Sequence, residues 1–443
     1  MITGPLLLVC PHLPPRFRGG VEVYSQWLIE ALGALSKDLI VLSIIDFTNP
    51  IPKRQKLTST LQKGVTYYWL QIDALYMAQP RTHFFNEAVF DAVTSILKNH
   101  HPVAVHVQGG FRITPAPLFA AYKSSIPIIL TLHDYYFICP TVNLIESSGN
   151  RCTGIVDASQ CATCITHRST LTQDWFEDWM EDHDASGVSL HELATMREAT
   201  RKSLGLANVL LSPSQDLAAR YLRTTNKHEK TLKIHVHRLG VPQRLTAEVA
   251  IGAYPLNSNP PDQRLVFAYI GHIHPHKGVH LLVDAAARMS PDTRNWTLKI
   301  YGEWADSPYH HSLHRSAAQH PNIALCGAYD PDNIAQILAD VDIVLLPSLW
   351  SENAPLVMLL ALRYGVPVMA SRIGGIPEWV RDTINGWLVA PGDPIAWAKA
   401  MAHCIEHRDR IKDRAGNCRY PLTSEDEAKA LVRVYQSSAG QRE

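Results

Sequence analysis

The sequence predicts an α/β protein made of two doubly wound, Rossmann-like domains that face each other across a cleft. Three observations predict it. The first is length: 443 residues exceed what one ordinary hydrophobic core serves, and roughly 200 residues per domain is the natural division. The second is an alternation, kept along nearly the whole chain, of short apolar runs with amphipathic stretches. Continuous apolar runs between helices read as parallel strands covered on both faces. The third is a Pro- and Asn-rich break without periodicity, "GAYPLNSNPPDQR" at residues 252–264, which reads as an interdomain linker.

The elements follow in order. "PLLLVC" is a buried strand, and Val21 to Leu35 continue it as a helix. "LIVLSII" and "VTYYWL" are further strands, Phe84 to Leu97 is helical, and "VAVHV" and "PIILTL" resume the sheet. An irregular, cysteine-containing insertion covers about residues 136–185. "NVLLSPS", a helix at Asp216 to Leu222 and "LKIHVH" complete a first domain over residues 1–245. Residues 246–264 are the linker. In residues 265–443, "RLVFAYIG" leads to a helix at Val279 to Met289, and "TLKIYG" to one near His311 to Gln319. "NIALCG", "DIVLLPS" and "VPVMAS" follow, each with a helix after it, and the last helix is free to pack back on the first domain.

Composition narrows the function classes. Hydrophobic content of 46% with 19% charged residues is globular. Lys plus Arg and Asp plus Glu both number 41, so no net charge steers the chain to nucleic acid. The apolar runs fall far short of the roughly 20 residues that span a membrane. The opening "MITGPLLLVCPHLPP" has no basic n-region, so no signal peptide is expected. The expected location is cytoplasmic, with peripheral contact at the inner membrane face left open.

Ligands of doubly wound sheets bind outside the carboxyl ends of the strands, and with two such domains the default site is the cleft between them. Four places fit. In "PRFRGGVEVYSQ", Gly19 and Gly20 open a helix after the first strand; paired glycines admit close backbone approach and the helix N-terminus suits an anion, although a tight turn explains them equally. In "IILTLHDYYFICP", His133 ends a strand, where an imidazole can donate to a sugar hydroxyl or pass a proton, and Asp134 orients it or caps the next segment. In "YIGHIHPHKGVHLL", Lys277 sits at a helix start after a strand, a good diphosphate site; His272 begins the same loop. In "LLPSLWSENAPLV", Glu352 lies at a strand end beside a helix opened by Pro355, with Ser351 and Asn353 as candidate caps. The plain reading of Glu352 is a capping carboxylate.

Four of the eight cysteines cluster in "CPTVNLIESSGNRCTGIVDASQCATC": Cys139, Cys152, Cys161 and Cys164. The last two form a Cys-x-x-Cys, the spacing of a zinc half-site. Two readings stay open: a structural zinc held by four thiolates, with no open position for substrate, or reduced thiols packing a loop without its own core.

The motifs "GGVE", "LHDYYFICP", "SPSQ", "GHIHPHKGVHLLVDAA", "LLPSLWSENAPLV", "ALRYGVPVMASRIGGIPEWV" and "NGWLVAPGD", in this order, resemble the retaining GT-B glycosyltransferases of family 4, the "group 1" glycosyl transferases. The resemblance implies transfer of a sugar from a nucleotide-diphosphate donor, UDP- or GDP-linked, to a hydroxyl of a saccharide or lipid-linked acceptor, as in polysaccharide biosynthesis. It implies retained anomeric configuration and no catalytic metal. Carried over, Gly20 lies near the donor phosphates and His133 touches the transferred sugar at the reacting centre. Lys277 binds phosphate, Glu352 holds hydroxyls of the donor sugar, and the backbone N–H groups of Leu356 and Val357 reach the diphosphate. The chain departs twice: His272 stands where the family has a phosphate-binding Arg, and Leu360 replaces the second acid of the Glu pair, expected to face the cleft toward the ribose. Those departures support the alternative, a non-catalytic GT-B subunit or carbohydrate-binding partner.

Overall fold

The computed structural model describes residues 4–15, 17–36, 38–47, 55–73, 80–146, 148–157, 159–161, 164, 190–224, 232–243, 264–290 and 295–439. The linker up to residue 263 and residues 165–189 of the insertion lie outside them. The chain divides into two compact units, residues 1–240 with 424–443 (unit 1) and residues 241–423 (unit 2).

Unit 1 carries an eight-stranded sheet in the order β3-β4-β2-β1-β5-β6-β7-β8. Its strands are β1 (Leu6–Cys10), β2 (Leu39–Phe47), β3 (Gln55–Gln62), β4 (Val65–Asp73), β5 (Ala104–Gln108), β6 (Ile128–Thr131), β7 (Val209–Ser212) and β8 (Ile234–Val236). All five residues of β1 are fully buried, as the unbroken apolar run "LLLVC" requires of a central strand. Chain order reverses beside it, because β2 pairs with one edge of β1 and β5 with the other, both parallel. Among the described residues up to 240, its α-helices include α1 (Gly20–Leu35), α2 (Glu87–His100), α3 (Ala116–Lys123), α4 (Leu190–Lys202) and α5 (Gln215–Arg223).

β3 and the start of α2 differ from the sequence reading. β3 was no strand there; it runs antiparallel to β4 at the sheet edge. Its polar run "QKLTSTLQ" suits an exposed edge, and Lys63 and Gly64, both at positive φ, make the tight two-residue turn. α2 begins at Glu87 and not at Phe84, because the Asn86 side chain accepts from the Val89 N–H at 3.2 Å and fixes the start there. Residues 80–83 form a separate 3₁₀ turn.

The final helix, residues Ser424–Ala439, belongs to unit 1. Buried Glu427 accepts from the Tyr24 hydroxyl at 2.6 Å and from the Gly240 N–H at 2.6 Å, with His237 Nε2 3.2 Å away. The Tyr435 hydroxyl meets His106 Nδ1 at 2.7 Å. A buried carboxylate is tolerated when its lone pairs are taken up in this way.

Unit 2 carries a six-stranded parallel sheet in the order β11-β10-β9-β12-β13-β14. The strands are β9 (Leu265–Ile270), β10 (Trp296–Tyr301), β11 (Ile323–Gly327), β12 (Ile343–Leu346), β13 (Val368–Ser371) and β14 (Gly386–Val389). Between and after them come α6 (Val279–Arg288), α7 (Pro308–Ala317), α8 (Ile334–Ala339), α9 (Leu356–Arg363), α10 (Pro394–Glu406) and α11 (Asp409–Asn417). Phe267, Leu298 and Trp397 are fully or almost fully buried in one core under this sheet. The order of strands reverses at β9, which pairs with β10 on one side and β12 on the other. Among the described residues no helix is long and apolar enough to cross a membrane.

Candidate active site

In unit 2 the strand order reverses at β9, and ligands of such sheets bind past the carboxyl ends of the strands at that point. The loop after β9 passes His272 and turns through residues 275–277 into α6. Gly278 forms that junction at φ +75°, and a Cβ there would stand 2.1 Å from the Pro347 carbonyl oxygen. Only glycine permits both the left-handed backbone and this close passage past the loop after β12. The His276 carbonyl also accepts the Leu349 N–H at 2.8 Å.

This clasp brings together two residues that the sequence keeps 75 positions apart. Lys277 Nζ lies 2.8 Å from Glu352 Oε1 and 4.8 Å from the centre of the Trp350 ring. The Ser348 hydroxyl donates to the same Oε1 at 2.9 Å. Glu352 is buried and Lys277 half-buried. The Glu352 carbonyl accepts the Gly375 N–H at 2.7 Å. Gly374, at φ +60°, passes so close that a Cβ would stand 2.1 Å from that carbonyl oxygen. The carboxylate is thus held from its backbone as well as through its side chain.

α9 begins at Leu356 after Pro355, with no side-chain cap. The N–H groups of Leu356 and Val357 are the first of the helix and have no acceptor within it; both residues are half-exposed. Asn353 is buried in the preceding loop. His272 is exposed, and its carbonyl accepts the Tyr269 hydroxyl. Leu360, which the sequence reading placed facing the cleft, is 4% exposed on α9. The apolar run "LVMLLALR" buries every residue from Met358 to Arg363.

Unit 1 has a second set of residues, at the ends of β1, β5 and β6. Gly19 precedes α1 as its cap and exposed Gly20 is its first residue. His133 follows β6. Its Nε2–H donates to Gln108 Oε1 at 2.8 Å, while the Gln108 amide nitrogen faces the His106 ring at 3.2 Å, which fixes the amide orientation. The Tyr24 ring lies 5.3 Å from that of His133. Burial pushes the His133 pKa down to about 3, so the imidazole is neutral at pH 7 and offers hydrogen bonds, not charge. Asp134 accepts the Tyr136 N–H at 2.9 Å, and burial raises its pKa to about 6. Glu22 is buried in the first turn of α1. Burial pushes its carboxyl up to about 7, its own backbone N–H and Arg112 pull the other way, and Asp134 adds to the rise.

Gln108, Ser348, Trp350 and Gly374 were not singled out in the sequence, and Glu22 was read there only as an acid complementing the helix dipole. Gln108 and Ser348 each end or follow an apolar strand, the position that marked His133, and that signal was available. Trp350 and Gly374 act through a fold contact with Lys277 and Glu352 that no local pattern reveals.

All four clustered cysteines are free thiols. They lie within electrostatic reach of one another: Cys139 and Cys164 each raise the pKa of Cys152, and all three neighbours raise that of Cys161, which burial pushes to about 12. The Cys152 sulfur accepts the Gly154 N–H at 3.3 Å. Among the described residues no group of three or more His, Cys, Asp or Glu is set to hold a metal ion.

Residues 264–407 match the family described as glycosyl transferases group 1. Over 167 residues the chain is 30% identical to a D-inositol 3-phosphate glycosyltransferase of Segniliparus rotundus, covering 36% of this chain and 36% of that protein. With the enzyme of the same name from Mycobacterium tuberculosis the identity is 31% over 208 residues, 45% of this chain and 41% of the other. The matches therefore span less than half the length of these relatives. The structure of Anabaena HepE in complex with UDP and glucose matches with a TM-score of 0.64 at 16% identity, over 98% of this chain and 100% of that one. At that identity the likeness is one of fold, and the fold is GT-B.

Proposed function

We propose that the chain, a member of the group 1 glycosyl transferases through residues 264–407, transfers a hexosyl group from a nucleotide-diphosphate sugar to an acceptor hydroxyl with retained configuration. The observation that carries this reading is the Lys277–Glu352 pair, 2.8 Å apart at the reversal point of the unit 2 sheet. A nucleotide sugar presents a diphosphate and a set of hydroxyls side by side. Lys277 and the Leu356 and Val357 N–H groups are suited to the first, and the Glu352 carboxylate to the second. The donor would draw Lys277 from Glu352 to phosphate, freeing carboxylate lone pairs for sugar hydroxyls. As the glycosidic bond breaks, negative charge collects on the leaving diphosphate, and a cation and helix dipole already in place stabilise it without reorganising. Neutral His133 serves as a hydrogen-bond partner for the transferred sugar. A UDP-linked sugar is the first donor to test, because HepE was solved with UDP and glucose.

Buried Leu360 favours a second reading, a GT-B subunit that binds without turnover: no carboxylate stands there to meet a ribose. Nucleotide release from a panel of UDP- and GDP-sugars separates the two. Release above the buffer rate supports the transferase; donor binding by thermal shift without release supports the binding subunit.

We extend the proposal to the four cysteines, whose donor set suits a structural zinc. Their mutual electrostatic reach and the Gly154 N–H on Cys152 support it. Loading would have to draw the sulfurs together, since no metal-holding group stands ready among the described residues.

A further inference from the structure

Unit 1 contains an open cavity of about 590 Å³ lined by Asn150, Arg151, Thr153, Ile155, Arg220 and Arg223 as well as Cys152. That volume is within the range of small-molecule sites, roughly 300–1,000 Å³. Two separate elements supply the arginines. Arg220 and Arg223 lie three residues apart on α5 and so share a face. Arg151 comes from the short hairpin closed by the Ile145–Arg151 bridge.

The fold cancels only part of this charge. Asp216 pairs with Arg220 through two contacts, at 2.6 and 3.2 Å, which also fix the direction of that guanidinium. No ion pair to Arg151 or Arg223 is formed among the described residues, and no acid lines the cavity. The other polar lining groups, Asn150 and Thr153, are neutral. Guanidinium forks match phosphate oxygens in pairs, and the neutral amide and hydroxyl can take the remaining oxygens of a terminal phosphate.

α5, which supplies two of the lining arginines, packs on the loop that carries the unit 1 site residues. The Arg220 guanidinium lies 6.0 Å from the centre of the Tyr135 ring, and the Tyr221 hydroxyl donates to the Asp134 carbonyl at 2.9 Å. Asp134 and Tyr135 directly follow His133.

We infer that this arginine-lined cavity binds a phosphate monoester, and that the acceptor of the transfer carries one. The second part rests on the transferase reading. The monoester belongs to a soluble phosphorylated acceptor or to a lipid headgroup, and the chemistry of recognition is the same for both.

Titration calorimetry with glycerol 3-phosphate tests the soluble source; sedimentation with phosphatidylcholine vesicles containing phosphatidic acid tests the lipid source. The Arg151→Ala/Arg223→Ala double variant should bind the monoester about tenfold more weakly or worse, as loss of charge-assisted hydrogen bonds requires. Its nucleotide release without acceptor should equal that of the unaltered protein. Arginine-dependent binding in the soluble arm assigns the cavity to a free phosphate monoester, and in the vesicle arm alone to a headgroup; the acceptor role further requires that the bound monoester raise nucleotide release in the unaltered protein and not in the double variant. Binding in neither arm, or binding that the double variant leaves unchanged, overturns the inference. Failure of the transferase reading is read separately, as absence of nucleotide release from any donor.

Discussion

Lys277 and Glu352 form an ion pair of 2.8 Å that closes the loop after β9 onto the loop after β12. Ser348 shares the carboxylate oxygen and Trp350 lies against the ammonium. Changing Glu352 to Gln keeps an acceptor for the Ser348 hydroxyl and removes the charge. The expected result is donor binding weakened by about 1.5–3 kcal/mol, the value of a charge-assisted hydrogen bond, with little change in melting temperature. Calorimetric titration with the donor checks it, and an unchanged affinity would remove Glu352 from the donor site.

Leu360→Glu places a carboxylate at a position only 4% exposed. The structure predicts a loss of about 2 kcal/mol or more in stability, from burial of an unpaired polar group, seen as a lowered melting temperature without tighter donor binding. Retained stability together with a gain in donor affinity would show that the residue meets the nucleotide after all.

Glu22 gives a pH signature. Its folded pKa, about 7, is raised by burial above the ordinary carboxyl value of 4.5. Between those values the folded state holds more protons than the unfolded one, so this group's contribution to stability is full below pH 4.5 and is lost as pH rises through 7. Glu22→Gln cannot ionise. Its melting temperature relative to the unaltered protein should therefore climb from pH 5 to pH 8, and a difference that stays flat over that range contradicts the assignment. His133 has the opposite sign: its depressed pKa makes its contribution full above pH 6.5 and lost as pH falls toward 3.

The proposal for the cysteines is read by metal analysis. Protein purified without chelator should contain about one zinc per chain if four thiolates close on a single ion. Four freely titratable thiols and no metal would leave Cys139, Cys152, Cys161 and Cys164 as packing residues.

Most strands of the two sheets were legible because doubly covered parallel strands are written as unbroken apolar runs, and "LLLVC" and "DIVLLPS" are of that kind, while the short β14 was not read as a strand. β3 escaped because a polar edge strand has no such run, and its signal lay in the Lys63–Gly64 turn. Lys277, Glu352 and His133 were legible from their places at strand ends. What the sequence could not disclose is contact across distance: the closure of Lys277 on Glu352, the Gln108 amide that sets the His133 ring, and the burial of Leu360. The arginine-lined cavity was hidden for the same reason, since Arg151 and Arg223 meet only through the fold.

The central claim is that Lys277 stabilises charge on a leaving diphosphate. The most direct measurement is steady-state turnover of the nucleotide-sugar donor by Lys277→Ala, with melting temperature recorded alongside. The account predicts a folded protein whose kcat falls on the order of 10²-fold, as when one preorganised charge partner is removed from a transition state. A folded variant that turns over donor at the unaltered rate would contradict it.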